Sequence, residues 1–170
     1  MGLDMYLTKR HYVKRWNHVP KEEQKIVAVK RDKKKYPFIN AKEITNIIEG
    51  LGYWRKANHI HMWFVEHCQN GVDECQETWV DPSKLKELLD TCKKVKEASE
   101  LIKGDNDGKF IKDSTVAEEL LPSQRGFFFG GTEYDEWYLQ DIDDTIKMLE
   151  TEFAIDYGVD QPEYYYRSSW

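Results

Sequence analysis

No stretch of this sequence holds 18 consecutive apolar residues, which excludes a membrane-spanning helix on simple length grounds. The opening residues lack the basic segment followed by an apolar segment that marks a secretory leader. Tyr6 stands where a myristoylation signal needs Ser or Thr. There are only three cysteines, Cys68, Cys75 and Cys92. An odd count with no leader favours reduced thiols and a cytoplasmic location over a disulfide framework. Metal-ligand spacing is also missing. There is no CxxC, Trp63-Phe64-Val65-Glu66-His67 is not HExxH, and His59 and His61 point about 200° apart on a helix. No metal is therefore expected at His61, His67 or the cysteines. Nucleophile elbows, Walker loops and dinucleotide fingerprints are absent too. No catalytic residue and no cofactor is assigned on this basis.

What is present fits one globular domain over residues 1–170. Hydrophobic residues make up 40% and charged residues 33%, enough for a real core under a charged surface. The net charge of −6 hides a division. Residues 1–60 carry 14 Lys/Arg against 6 Asp/Glu, and residues 61–170 carry 11 against 25. Much of the positive charge lies in a basic excursion at about 17–36, read as a solvated hairpin tip. Its lysines can meet phosphates but cannot read bases, so sequence-specific nucleic-acid recognition is not expected. The two charge halves can also simply attract each other within the fold.

Residues 2–8 alternate with period two and predict a strand buried on one face. A second strand is expected over 25–30, with 31–35 as an exposed turn. Ile44, Ile47 and Ile48, stopped by Gly50, predict a helix over 41–49, and Ala57, Ile60, Phe64 and Cys68 predict another over 53–69. Thr78–Val80 reads as a short strand. Asp81 as N-cap and Pro82 at the first helical position open a helix whose stripe runs Leu85, Leu88, Leu89, Cys92, Val95 and Ile102. Gly104–Gly108 reads as a loop and Thr115–Leu121 as a short helix. Gly126–Gly131 reads as a buried strand or tight loop, with Thr132 capping a helix striped by Leu139, Ile142, Ile146, Leu149 and Phe153. The tyrosine run at 164–166 is β-prone and can join the N-terminal strand. The class is α+β: a helix-dominated domain with a small antiparallel sheet formed near the termini.

One helix face would carry Trp54, Asn58, His61 and Val65, placing an amide and an imidazole beside an apolar stripe. Such groups serve a ligand or are satisfied within the core, and the second is commoner. Arg55, Lys56 and His59 fall on another face, where they can meet an anion. Carboxylates cluster at Asp135-Glu136 and Asp141–Asp144, but nothing in the sequence says which is desolvated, and most suit a solvated face.

Three stretches together carry a resemblance: Met1–Leu7, Tyr53–Asn58 continuing through His61 to Trp63-Phe64-Val65, and Gly126–Gly130 with Tyr134–Tyr138, closed by Ser168-Ser169-Trp170. In these the chain resembles a family of small bacteriophage and prophage proteins. The resemblance implies an accessory, anti-defence role in a bacterial cytoplasm and carries no catalytic residues with it. The expected function is binding of a small anionic, nucleotide-like ligand by Trp54, Arg55, Lys56, Asn58 and His61, with Tyr134 and Arg167 as further candidates. The alternatives are an inhibitor docking on a host bacterial protein, with homo-oligomerisation also open, and a small hydrolase using His61 and a carboxylate.

Overall fold

The computed structural model describes residues 2–104 and 108–170, so the middle of the loop expected at Gly104–Gly108 lies outside the described residues. The fold is α+β. Four strands form an antiparallel sheet: β1 (Asp4–Tyr12), β4 (Asn46–Arg55), β5 (Thr78–Val80) and β8 (Glu163–Ser169), in the order β4-β1-β8-β5. Two small hairpins, β2 (Lys30–Arg31) with β3 (Lys34–Lys35) and β6 (Leu101–Lys103) with β7 (Lys109–Ile111), stand apart from it. The helices are α1 (Asn58–Cys68), α2 (Pro82–Ala98), α3 (Thr115–Leu120) and α4 (Glu136–Phe153). No helix among the described residues is long and apolar enough to cross a membrane.

Strand β1 occupies the middle of the sheet because its period-two pattern serves two different faces. Leu3, Met5 and Leu7 are fully buried, while Asp4, Tyr6 and Thr8 point the other way. The buried face meets α1, α2 and α4 through Phe64, Leu88, Ile142 and Leu149. Tyr166 of β8 lies nearly flat on Phe64, ring centroids 4.0 Å apart. Expectation and structure agree on the N-terminal strand, on Thr78–Val80, on the Asp81-Pro82 helix start and on the pairing of the tyrosine run with the N-terminal strand.

Elsewhere the structure corrects the sequence reading. Residues 46–55 form a strand, not part of a helix over 41–49; Ile47 and Ile48 are exposed, so their helical spacing never acquired a buried surface. The β-branched residues suit pairing with β1, and the glycines at 50 and 52 count against a helix. Helix α1 therefore starts at Asn58, after Lys56 turns the backbone at φ 64°. Between 25 and 30 only Lys30 is in a strand, and the turn at Asp32-Lys33 has both residues at positive φ, as a two-residue hairpin requires. Helix α2 stops at Ala98, and Ile102 sits exposed on β6. Gly126–Gly131 is a tight turn, one of the two forms expected for it, and not a buried strand, with Phe127 95% exposed. Asp135, not Thr132, caps α4 by accepting from the N–H groups of Trp137 and Tyr138.

The inward row of β1 continues at Lys9, where an apolar residue is expected. Its ammonium donates to Glu152 of α4 at 3.0 Å and to the Tyr157 hydroxyl at 2.8 Å. Glu152 also accepts from Tyr157 and Tyr164. Burial alone would raise the Glu152 pKa, but these hydrogen bonds and the lysine charge outweigh it and hold the carboxyl below its ordinary value. Removing Glu152 would leave the buried Lys9 ammonium only the half-exposed Glu49 carboxylate at 3.7 Å and the Tyr157 hydroxyl. Glu152→Ala is expected to cost about 3–5 kcal/mol in urea unfolding. The carboxylate's contribution is present above an unfolded pKa of about 4.3 and is lost as pH falls through its lower folded value.

Candidate functional site

Where β4 ends and α1 begins, the chain is held by backbone bonds that leave little freedom. The Lys56 N–H donates to the Leu3 carbonyl at 2.8 Å, and the Leu3 N–H donates to Phe128 at 3.0 Å. Asn58 joins the 124–131 loop to α1. Its amide donates to the carbonyls of Phe129 and Gly131, at 3.0 and 2.7 Å, and its carbonyl accepts from the Gln124 N–H at 2.8 Å. Gly130 lies at φ 91° so close to the Lys56 side chain that a Cβ there would crowd it.

These constraints shape a cleft of about 330 Å³ between the start of α1 and the start of α4. Arg55, Lys56, Asn58 and His59 line it from the β4–α1 junction, and Glu133, Trp137 and Asp141 line it from the α4 side. The first turn of α1 holds no acidic residue and its N-cap, Ala57, offers no side-chain acceptor. That helix end therefore favours an anion. The Trp137 indole is 72% exposed, a flat apolar surface beside the cleft.

Two titratable groups in the cleft are displaced in opposite senses. His59 is 3% exposed and packs against Tyr138, the rings tilted by 39° with centroids 4.2 Å apart. Burial pushes its pKa down to about 3, so the ring is neutral at physiological pH. Its Nε2 is buried without a hydrogen-bond partner among the described residues. Asp141 is pushed up to about 7, by burial first and then by the negative charges of Asp144 and Asp135. Both shifts begin with burial, which favours the neutral form of each group; at Asp141 the neighbouring negative charges add to it.

Of the seven residues expected at a site, the structure brings Arg55, Lys56 and Asn58 together here. Trp54 belongs to strand β4, so it shares no helix face with Asn58; it is buried and donates its indole N–H to Thr145 at 2.8 Å. His61 is buried too, bonded to the Tyr166 hydroxyl at 2.7 Å and to Asp73 at 3.0 Å. Tyr134 supports the rim indirectly, its hydroxyl accepting from the Ser123 N–H at 3.1 Å. Arg167 lies on the far face of the sheet, 5.6 Å from the Tyr6 ring centroid. Trp137 was not singled out as a site residue in the sequence, and Asp141 was visible there only as one of a cluster of carboxylates, because desolvation and proximity to α1 are tertiary properties. His59 was visible as a neighbour of Arg55 and Lys56 but not as an unsatisfied buried ring.

No family model, curated protein or solved structure matches the chain.

A carboxyl raised to about 7 in the fold, against about 3.9 unfolded, binds its proton more tightly in the native state. It supports the fold at low pH, and that support is lost as pH rises from about 4 to about 7. Asp141→Asn should remove this loss. Thermal unfolding at about pH 8 is expected to show the variant more stable by on the order of 1 kcal/mol, about 2–4 °C in Tm, with the gain shrinking towards pH 4.

Proposed function

We propose that the protein binds a small anionic, nucleotide-like ligand in the cleft between the starts of α1 and α4. The observation that carries this reading is the division of the cleft lining. Arg55, Lys56 and the uncapped α1 terminus offer positive potential on one side. Trp137 offers a stacking surface on the other, next to carboxylates that accept from amino or hydroxyl groups. A phosphate, a planar ring and hydrogen-bond donors on one small molecule match those three environments. The likeness to bacteriophage and prophage proteins fits an accessory role in which such a ligand, a nucleotide signal of host defence, is sequestered.

Calorimetry against a panel of nucleoside mono- and diphosphates and cyclic dinucleotides tests this. Wild type should bind at least one member. Arg55→Ala and Trp137→Ala should each weaken that binding about tenfold or more, the size expected for a charge-assisted hydrogen bond or a stacked ring. Trp54→Ala should lower stability instead. Silence across the whole panel would sink the reading.

The carboxyl of Asp141, lining the cleft and raised to about 7, favours one second reading, a hydrolase acting on the bound ligand. Its acid–base group would be Asp141, poised near neutral pH, and not the core residue His61. Under this reading wild type consumes the ligand found by calorimetry, and Asp141→Asn binds it without turnover. Product assays that detect no conversion by wild type would remove it.

A further inference from the structure

The sheet has a second face, and no helix among the described residues lies on it. Successive partners across the four strands place Tyr53, Tyr6, Tyr165 and Trp79 on this face: Tyr6 pairs with Tyr53, Thr8 with Tyr165, and Tyr165 with Trp79. Tyr53 is 57% and Trp79 51% exposed. Three interstrand steps of about 4.8 Å separate the outermost rings, so the row is about 14 Å wide. Arginines lie between the rings. The Arg10 guanidinium stacks 3.8 Å from the Tyr165 centroid while pairing with Glu77, and Arg167 approaches Tyr6. Gly50, opposite Thr8, presents no side chain, leaving a shallow depression of about 390 Å³ between Tyr6, Thr8 and Tyr53.

The row continues off the sheet into the positive part of the chain. Tyr12, at the end of β1 on this face, accepts a hydrogen bond from the Trp16 indole at 3.0 Å, and Trp16 stacks with His18. Lys14 sits 4.2 Å from the Trp16 ring centroid and Lys25 donates to the Tyr12 carbonyl. Residues 13–45, which leave and re-enter the sheet at Tyr12 and Asn46, carry ten Lys/Arg against four Asp/Glu. Among the rings of the sheet face, Arg10 and Arg167 are offset by Asp4, Glu77 and Glu163. The attraction for an anion therefore comes from the excursion, while the rings of the sheet supply contact area. Helix α4, with six carboxylates and one lysine, packs beneath the opposite face.

We infer that this face binds single-stranded nucleic acid without sequence preference, bases stacking on the Tyr53–Tyr6–Tyr165–Trp79 row and phosphates meeting the 13–45 excursion. Each component has a physical reason. Every base has a π-face, so stacking on aromatic rings or on an arginine plane is tolerant of sequence. Lysines on a small hairpin neutralise phosphates without reading them. A duplex hides its base faces and cannot use the row. This site is separate from the cleft and does not rest on ligand binding there.

Fluorescence anisotropy with labelled oligothymidylate and oligouridylate of about 16 nucleotides tests the inference, with a duplex of the same length as comparison. Both single strands are expected to bind more tightly than the duplex at low salt, and a preference for one of them identifies the sugar that the face accepts. Tyr53→Ala and Trp79→Ala alter exposed rings, and each should lower affinity about fivefold or more, whereas Tyr53→Phe retains it. Lys34→Glu with Lys35→Glu should flatten the dependence of affinity on salt. Trp137→Ala, in the cleft, should leave oligonucleotide binding unchanged. The inference is overturned if neither single strand binds, if duplex binds equally well, or if the ring substitutions change nothing. It is also overturned if the face proves to hold a second copy of the chain, seen as a dimer in native mass spectrometry that Trp79→Ala dissolves.

Discussion

Everything in this molecule is arranged around the two-sidedness of β1. Its odd-numbered residues as far as Lys9 face a buried layer and its even-numbered residues face outward, so one strand separates two chemistries. The enclosed side is the larger energetic contribution. Fully burying side chains of the size of Leu3, Met5 and Leu7 contributes about 1.5–3 kcal/mol each relative to exposure. A one-residue slip would reverse both faces at once, and the Lys9–Glu152 contact works against it. A lysine in the inward row is tolerated in one register only, the one that delivers its ammonium to that carboxylate and to Tyr157.

The cleft is a by-product of the same layering. Strand β4 must leave the sheet and become α1 within two residues. That demands the left-handed backbone at Lys56, and it sets Arg55 and Lys56 outward while Asn58 turns in to hold the 124–131 loop. The polar residue that secures the loop and the cations that could meet a ligand thus lie within four positions of the chain but are opposite in role. Asn58 is a positioning residue, its hydrogen-bonding groups engaged by backbone.

How much of this could be read from the residues alone follows from what each signal measures. Period-two alternation in Gly2–Thr8 and the Asp81-Pro82 cap are local devices, and both survive in the fold. Ile44, Ile47 and Ile48 show the opposite case. Their spacing fits a helix, yet β1 offered this segment an edge, and pairing decided the matter. The same error carried Trp54 onto a helix face it does not share. At the candidate site, Arg55, Lys56 and Asn58 were legible because they cluster in sequence. Asp141 was not, since its raised pKa depends on burial at a cleft built from segments about 80 residues apart, the separation between Asn58 and Asp141. His61 was the reverse: conspicuous in sequence, but held by Tyr166 and Asp73 inside the core.

The pairing of β1 with β8 also has a consequence in time. Asp4 meets Ser169 and Arg10 meets Glu163, contacts that span more than 150 residues of chain. Strand β1 is synthesised about 150 residues before β8 and gains its second neighbour only when residues 163–169 arrive. At about 5–20 residues per second, β1 waits on the order of ten seconds or more with one edge unpaired. Loop closure over such a span is slow, so sheet completion belongs to the late, rate-limiting part of folding. In that interval the alternating apolar row of Leu3, Met5 and Leu7 is open to other chains, and rapid local formation of α1 and α2 provides it with a partial cover.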